Sequence, residues 1–162
     1  MPHAHSDNHL LYYPADAITS SLALASGLRH TGISNNIHIT DGLSTLIPLI
    51  TNNITLNRPS ILPTTLLVPL QFSWGSPLPN TLPLEPDIVL AADCCYLEES
   101  FPLLLKTLAD LIGEETVCWF CYKKRRRADR DMIRMLAKVF EMVEIEGKWQ
   151  RERIFLYQIK AK

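Results

Sequence analysis

The sequence predicts an α/β fold with a parallel, doubly wound sheet, and three observations carry that expectation. Short apolar or β-branched runs alternate with segments of helical period, the order of consecutive βα units. The run DIVLAA at 87–92 is apolar after its first residue, as a strand covered on both faces must be. Several runs end on an acid or an aromatic, and in open α/β sheets ligands bind beyond the carboxyl ends of the strands.

The elements follow in order. Residues 1–19 read as an atypical N-terminal tail and 20–162 as the domain. SSLALASGLR at 20–29 is a short apolar helix, and 37–40 is a β-branched strand ending at Asp41. Residues 45–56 are helical, with Leu46, Leu49, Ile50 and Asn53 on one face. Residues 66–72 form a strand despite Pro69 and lead to Trp74-Gly75. The strand 87–92 ends at Asp93. Residues 101–112 are a helix with Pro102 in its first turn and Gly113 stopping it. A second buried strand spans 116–122, and a helix spans 128–140. Two final strands, 142–146 and 154–159, lack a helix between them, which predicts an antiparallel strand at one edge.

A chain of 162 residues supports one domain with a sizeable core. Its 47% hydrophobic content excludes disorder, and 16 Lys+Arg against 17 Asp+Glu argue against a dedicated polyanion binder. The six glycines are never closer than five residues apart, which excludes GxGxxG, and Gly27 and Gly32, the one pair five apart, are followed by Ile33 rather than Lys, which excludes GxxxxGK. No signal-peptide order opens the chain, and the apolar run at 62–72 is broken by Pro63 and Pro69, so no membrane span is expected. Cys94, Cys95, Cys118 and Cys121 read as buried reduced thiols of a cytoplasmic protein, because a three-residue step along a strand puts Cys118 and Cys121 on opposite faces. His3, His5 and His9 read as solvated, and no metal site is expected.

Three strand ends deliver candidate site residues to one rim. Asp41 suits the two hydroxyls of a ribose, the use such a position has in nucleotide-type sites, and serves equally as a helix cap. The Trp74 indole suits stacking on a purine, or packing at the core edge. Asp93 and Tyr96, three apart, suit the positioning of an amine, or the capping and packing of a turn. Their order along the chain favours the joint reading. The basic run Lys123, Lys124, Arg125, Arg126, Arg127 is either a solvated loop before a helix or a docking patch for an acidic protein face. Nucleic acid is the weaker partner, since Tyr122 alone supplies an aromatic beside the run.

These residues resemble a known family. IHITDGLSTLIPLITNNITLN (37–57), FSWG (72–75) and DIVLAADCCYLEESFPLLLKTL (87–108) are similar to the seven-β-strand protein-lysine methyltransferases with an Asp-x-x-Tyr motif, here Asp93 to Tyr96. The segment CYKKRRRADRDMIRMLAKVF (121–140) resembles the fungal branch that methylates translation elongation factor 1-alpha. The resemblance implies a Rossmann-like, seven-stranded class I methyltransferase sheet and S-adenosylmethionine as cofactor. It implies that Asp41 binds the ribose, that Trp74 flanks the adenine and that the backbone of Ala92 contacts the cofactor. It further implies that Asp93 and Tyr96 line the substrate lysine channel.

One departure stands out. The family places an acidic, glycine-rich loop after its first strand, whereas residues 8–19 read NHLLYYPADAIT, with Pro14-Ala15-Asp16 where that loop belongs. A ring or Cβ there obstructs close backbone approach to a cofactor. The expectation is a sheet incomplete at its first strand, from a truncated 5′ end or from divergence. Two function classes follow: a protein-lysine N-methyltransferase acting on elongation factor 1-alpha, or a truncated or inactive module that binds a partner through its basic loop.

Overall fold

A computed structural model describes residues 8–13 and 35–162. Their elements are β1 (Asn8–Tyr13), β2 (Asn35–Asp41), α1 (Ile47–Asn57), β3 (Leu66–Gln71), β4 (Ile88–Ala92), α2 (Phe101–Leu111), β5 (Val117–Lys123), α3 (Asp129–Val139), β6 (Phe140–Ile145) and β7 (Ile154–Ala161). The expected helix at 20–29 and the Pro14-Ala15-Asp16 segment lie outside the described residues.

The strands form one seven-stranded sheet in the order β3-β2-β1-β4-β5-β7-β6. The first five strands in that order are parallel to one another, and β7 runs antiparallel to both β5 and β6. The sheet is therefore not incomplete at its first strand. β1 pairs with β2 (Leu10 opposite Ile37) and with β4 (Leu10 opposite Ile88), so it fills the interior slot between those strands. Part of the segment expected as a tail is thus built into the sheet. The antiparallel strand also sits elsewhere than expected: β7 inserts one place in from the edge, and β6 is the edge strand. Sequence order makes β6 and β7 neighbours, but only the pairing of Phe120 with Tyr157 and Cys121 with Leu156 puts β7 against β5.

Period-two burial explains the continuous apolar strands. In β4, Val89 and Ala91 enter one core cluster with Leu104, Leu108 and Leu111 of α2 and Met132 and Leu136 of α3. Ile88 and Leu90 pack instead against a second cluster, Ile37, Ile39, Ile50, Ile61 and Leu67. The two faces of the strand therefore serve two clusters, as a doubly wound sheet requires. Pro69 is tolerated because β3 is an edge strand, where a missing N–H need break no ladder bond. Phe140, expected as the end of a helix, opens β6 and is buried in the first cluster.

Candidate functional site

Asp41 closes β2 and is only 8% exposed. Its Oδ1 accepts a hydrogen bond from the Leu43 N–H at 2.7 Å, which bends the chain over the strand end. Its carbonyl accepts the Phe72 N–H at 2.8 Å and ties the ends of β2 and β3 together. Among the described residues no donor reaches Oδ2, so a largely buried carboxylate keeps one oxygen for a ligand.

After β3 the chain turns at Trp74-Gly75. Gly75 has φ +78°, a left-handed conformation that glycine alone adopts without strain. Its N–H donates to Thr107 Oγ1 on α2 at 2.8 Å, which fixes the half-buried Trp74 beside it. The Trp74 and Tyr96 rings lie 6.0 Å apart, tilted by 47°. Asp41, Leu43, Leu46, Phe72, Trp74, Tyr96 and Leu103 line a cleft of about 460 Å³ at the carboxyl ends of β2 and β3. That volume is in the range of small-molecule sites, and its make-up is typical: apolar walls with few polar groups.

Beyond β4 comes a second cluster. Asp93 takes a left-handed backbone (φ +53°), which aspartate tolerates better than most residues. Its N–H donates to the Cys121 carbonyl at 2.7 Å. Arg125 grips its carboxylate with both guanidinium nitrogens, Nη1 to Oδ1 at 2.6 Å and Nη2 to Oδ2 at 2.7 Å. That hydrogen-bonded fork holds the Asp93 carboxyl below its ordinary range against the opposing pull of partial burial, and the charges of Arg125 and Lys123 assist. Arg126 donates to the Tyr96 carbonyl and, at 3.4 Å, to that of Cys95. Partial burial pushes the Tyr96 phenol up, with smaller contributions from Cys94 and Asp41.

The structure brings Asp41, Trp74 and Tyr96 together on one cleft. Ala92 and Asp93 stand at the end of β4 outside that lining, linked to it through the turn to Tyr96. The Ala92 carbonyl accepts the Cys94 thiol at 3.4 Å. Of the basic run, Arg125 and Arg126 face inward onto the Asp93–Tyr96 turn. Sequence reasoning missed this, and it did not single out Asp129. Asp129 is wholly buried, and its Oδ2 accepts the backbone N–H groups of Arg125 (2.7 Å) and Arg126 (2.8 Å). An acid three and four residues after two arginines, at a helix start, was the signal for such a cap. All four cysteines are free; burial raises each thiol, that of Cys95 to about 12.

Comparison with known proteins gives a concordant picture. The profile of a family described as lysine methyltransferase matches residues 21–139. The Saccharomyces cerevisiae protein-lysine N-methyltransferase EFM6 is 36% identical over 141 residues, covering 78% of this chain and 55% of the yeast protein. The mouse protein N-lysine methyltransferase METTL21A is 32% identical over 75 residues, covering 46% of this chain and 34% of its own length. The chain thus spans about half, or less, of the relatives it matches. Among solved structures, the CMeT domain of the citrinin polyketide synthase superposes with TM-score 0.73 at 14% identity, covering 99% of this chain and 48% of that one. The N-methyltransferase NodS of Bradyrhizobium japonicum, solved with S-adenosyl-L-homocysteine, superposes with TM-score 0.65 at 11% identity, over 96% of this chain and 78% of NodS. At such identities the structures speak to fold alone, which is that of methyltransferases.

Proposed function

The chain belongs to the lysine methyltransferase family, and from that premise we propose that it is an S-adenosylmethionine-dependent protein-lysine N-methyltransferase, or the larger part of one. The observation that carries the proposal is the convergence of Asp41, Trp74 and Tyr96 on one cleft at the carboxyl ends of parallel strands.

The residues present fit the adenosine part of the cofactor. The unpartnered oxygen of Asp41 would accept from a ribose hydroxyl, and the Trp74 indole would flank the adenine in the cleft that Leu43, Leu46 and Leu103 also line. The backbone of Ala92, at the end of β4, would contact the cofactor. When bound, S-adenosylmethionine supplies a sulfonium-activated methyl group, so the protein need only align a neutral amine and exclude water. Asp93 and Tyr96 orient that amine by hydrogen bonding, and the Tyr96 ring walls the channel against Trp74.

The substrate is a protein lysine, with translation elongation factor 1-alpha as the candidate on the strength of the sequence 121–140, and the cytoplasm as place of action. Because Arg125 and Arg126 are committed to the turn, docking on the substrate falls to Lys123, Lys124 and Arg127. No helix among the described residues is long and apolar enough to cross a membrane.

The test is binding and transfer. Calorimetric titration with S-adenosylmethionine should show binding that Asp41→Ala weakens at least tenfold, about 1.4 kcal/mol or more. Incubation with labelled cofactor and purified elongation factor 1-alpha should transfer label to lysine. Binding unaffected by Asp41→Ala would remove Asp41 from the cofactor site, and labelling of no protein by the wild type would defeat the enzymatic reading.

A further inference from the structure

The Asp93 carboxylate, offered above as the group that orients the lysine, is already engaged. Arg125 holds both of its oxygens, with N···O distances of 2.6 and 2.7 Å. We propose that Arg125 is a positioning residue for the substrate lysine: by cancelling the charge of Asp93 it lets that carboxylate orient the amine without holding it as an unreactive ammonium. This rests on the reading of the site as a lysine methyltransferase site.

The physical problem is one of protonation. Methyl transfer needs the lone pair of a neutral amine, yet lysine titrates near ~10.4. A bare carboxylate beside it favours the charged form and pushes that value higher. A carboxylate in a bidentate guanidinium fork presents almost no net charge. Each carboxylate oxygen has two lone pairs, so Asp93 still has an acceptor direction left after the Arg125 fork and the Lys123 backbone hydrogen bond are served. The amine N–H can be held without its proton being stabilised. Arginine suits the task better than lysine because its fork is planar and permanently charged.

The placement of Arg125 is built in. Asp129, wholly buried, accepts the backbone N–H groups of Arg125 and Arg126, and the Lys124 N–H donates to the Arg153 carbonyl at 2.8 Å. Arg126 fastens the same loop to the Cys95 and Tyr96 carbonyls. The loop is therefore tied to α3, to the residue ahead of β7 and to the Asp93–Tyr96 turn. The other groups around Asp93 do not replace Arg125. Lys123 at the end of β5 acts on Asp93 through a backbone hydrogen bond and, less, through its charge, both weaker than the Arg125 fork, and Arg126 and Asp129 are occupied with each other and the turn. Cys94, Cys95 and Cys121 are thiols raised by burial, the Tyr96 phenol is raised too, and Asp41 acts across the cleft on Tyr96.

The test compares wild type, Arg125→Gln and Arg125→Lys, with S-adenosylmethionine and purified elongation factor 1-alpha as probes. In Arg125→Gln the acid limb of the kcat–pH profile should move up by about one unit, and kcat at neutral pH should fall about tenfold with KM for the protein unchanged or lower. Arg125→Lys, which keeps the charge, should return most of the limb. In cofactor-free protein, carboxyl carbon NMR should show Asp93 titrating at higher pH in Arg125→Gln than in wild type. A lower kcat with an unshifted limb would reduce Arg125 to a structural brace, and a higher kcat would make it an inhibitory contact; either overturns the inference. So does an Asp93 midpoint equal in the two proteins. A wild type that labels nothing defeats the site reading and this inference together, whereas an active wild type with an unshifted variant defeats this inference alone. Should Arg125→Gln not fold, a limb in Arg125→Lys lying between wild type and the one-unit shift supports it, and a limb identical in shape with lost kcat opposes it.

Discussion

Asp93 shows how much a single side chain is asked to do at the end of a strand. It adopts a left-handed backbone, closes the last hydrogen bond toward β5 through Cys121, and carries an ion pair to a residue 32 positions on. Its depressed carboxyl pKa has a defined consequence for stability. The folded-state value lies below the unfolded one, so the stabilisation is present in full above the unfolded pKa and is lost as pH falls through the folded one. The expected outcome is that wild type exceeds Arg125→Gln in urea stability by no more than about 1 kcal/mol at neutral pH, since the pair is partly solvated. That margin should close below about pH 4, and a difference undiminished in acid would show that the ion pair is not its source. Little of this was legible beforehand. Asp41, Trp74 and Asp93 stand at or just past strand ends, a local feature. The Arg125 fork depends on where a loop folds back, and the basic run looked like solvent-facing charge.

At the scale of elements, the turn after β3 sets the cleft wall. A Cβ on Gly75 would lie 2.6 Å from Leu103 Cδ2 on a backbone already at φ +78°. Gly75→Ala is expected to destabilise the protein by about 1–3 kcal/mol and, by moving Trp74, to weaken cofactor binding; urea midpoints and calorimetry check both. A variant with an unchanged midpoint would mean that the turn yields without strain. The helices α1, α2 and α3 and the strands β4 and β5 lie within a few residues of their expected spans. They are set by local periodicity and by signals such as Pro102 and Gly113. The boundary at Phe140 was misplaced because an aromatic completing a helical pattern fits a buried strand start equally well.

At the scale of the molecule, two clusters flank a sheet in which β1 lies inside, between β2 and β4. Leu104 is fully buried in the larger cluster, so Leu104→Ala should cost about 2–5 kcal/mol. Val143→Ala on the exposed edge strand should stay within about 0.5 kcal/mol. Equal effects in chemical denaturation would contradict the assigned core. The amino-acid order was enough for the α/β class, the doubly covered strand 87–92 and the membership of a lysine methyltransferase family. These are properties of short windows, where periodicity and residue chemistry speak directly. Three things waited on tertiary structure: that Asn8–Tyr13 lies inside the sheet between β2 and β4, that β7 slips between β5 and β6, and that Arg125 turns in on Asp93. Each depends on which distant backbone edge or charge a segment meets, and pairing free energy between remote segments leaves no periodic trace in the segments themselves.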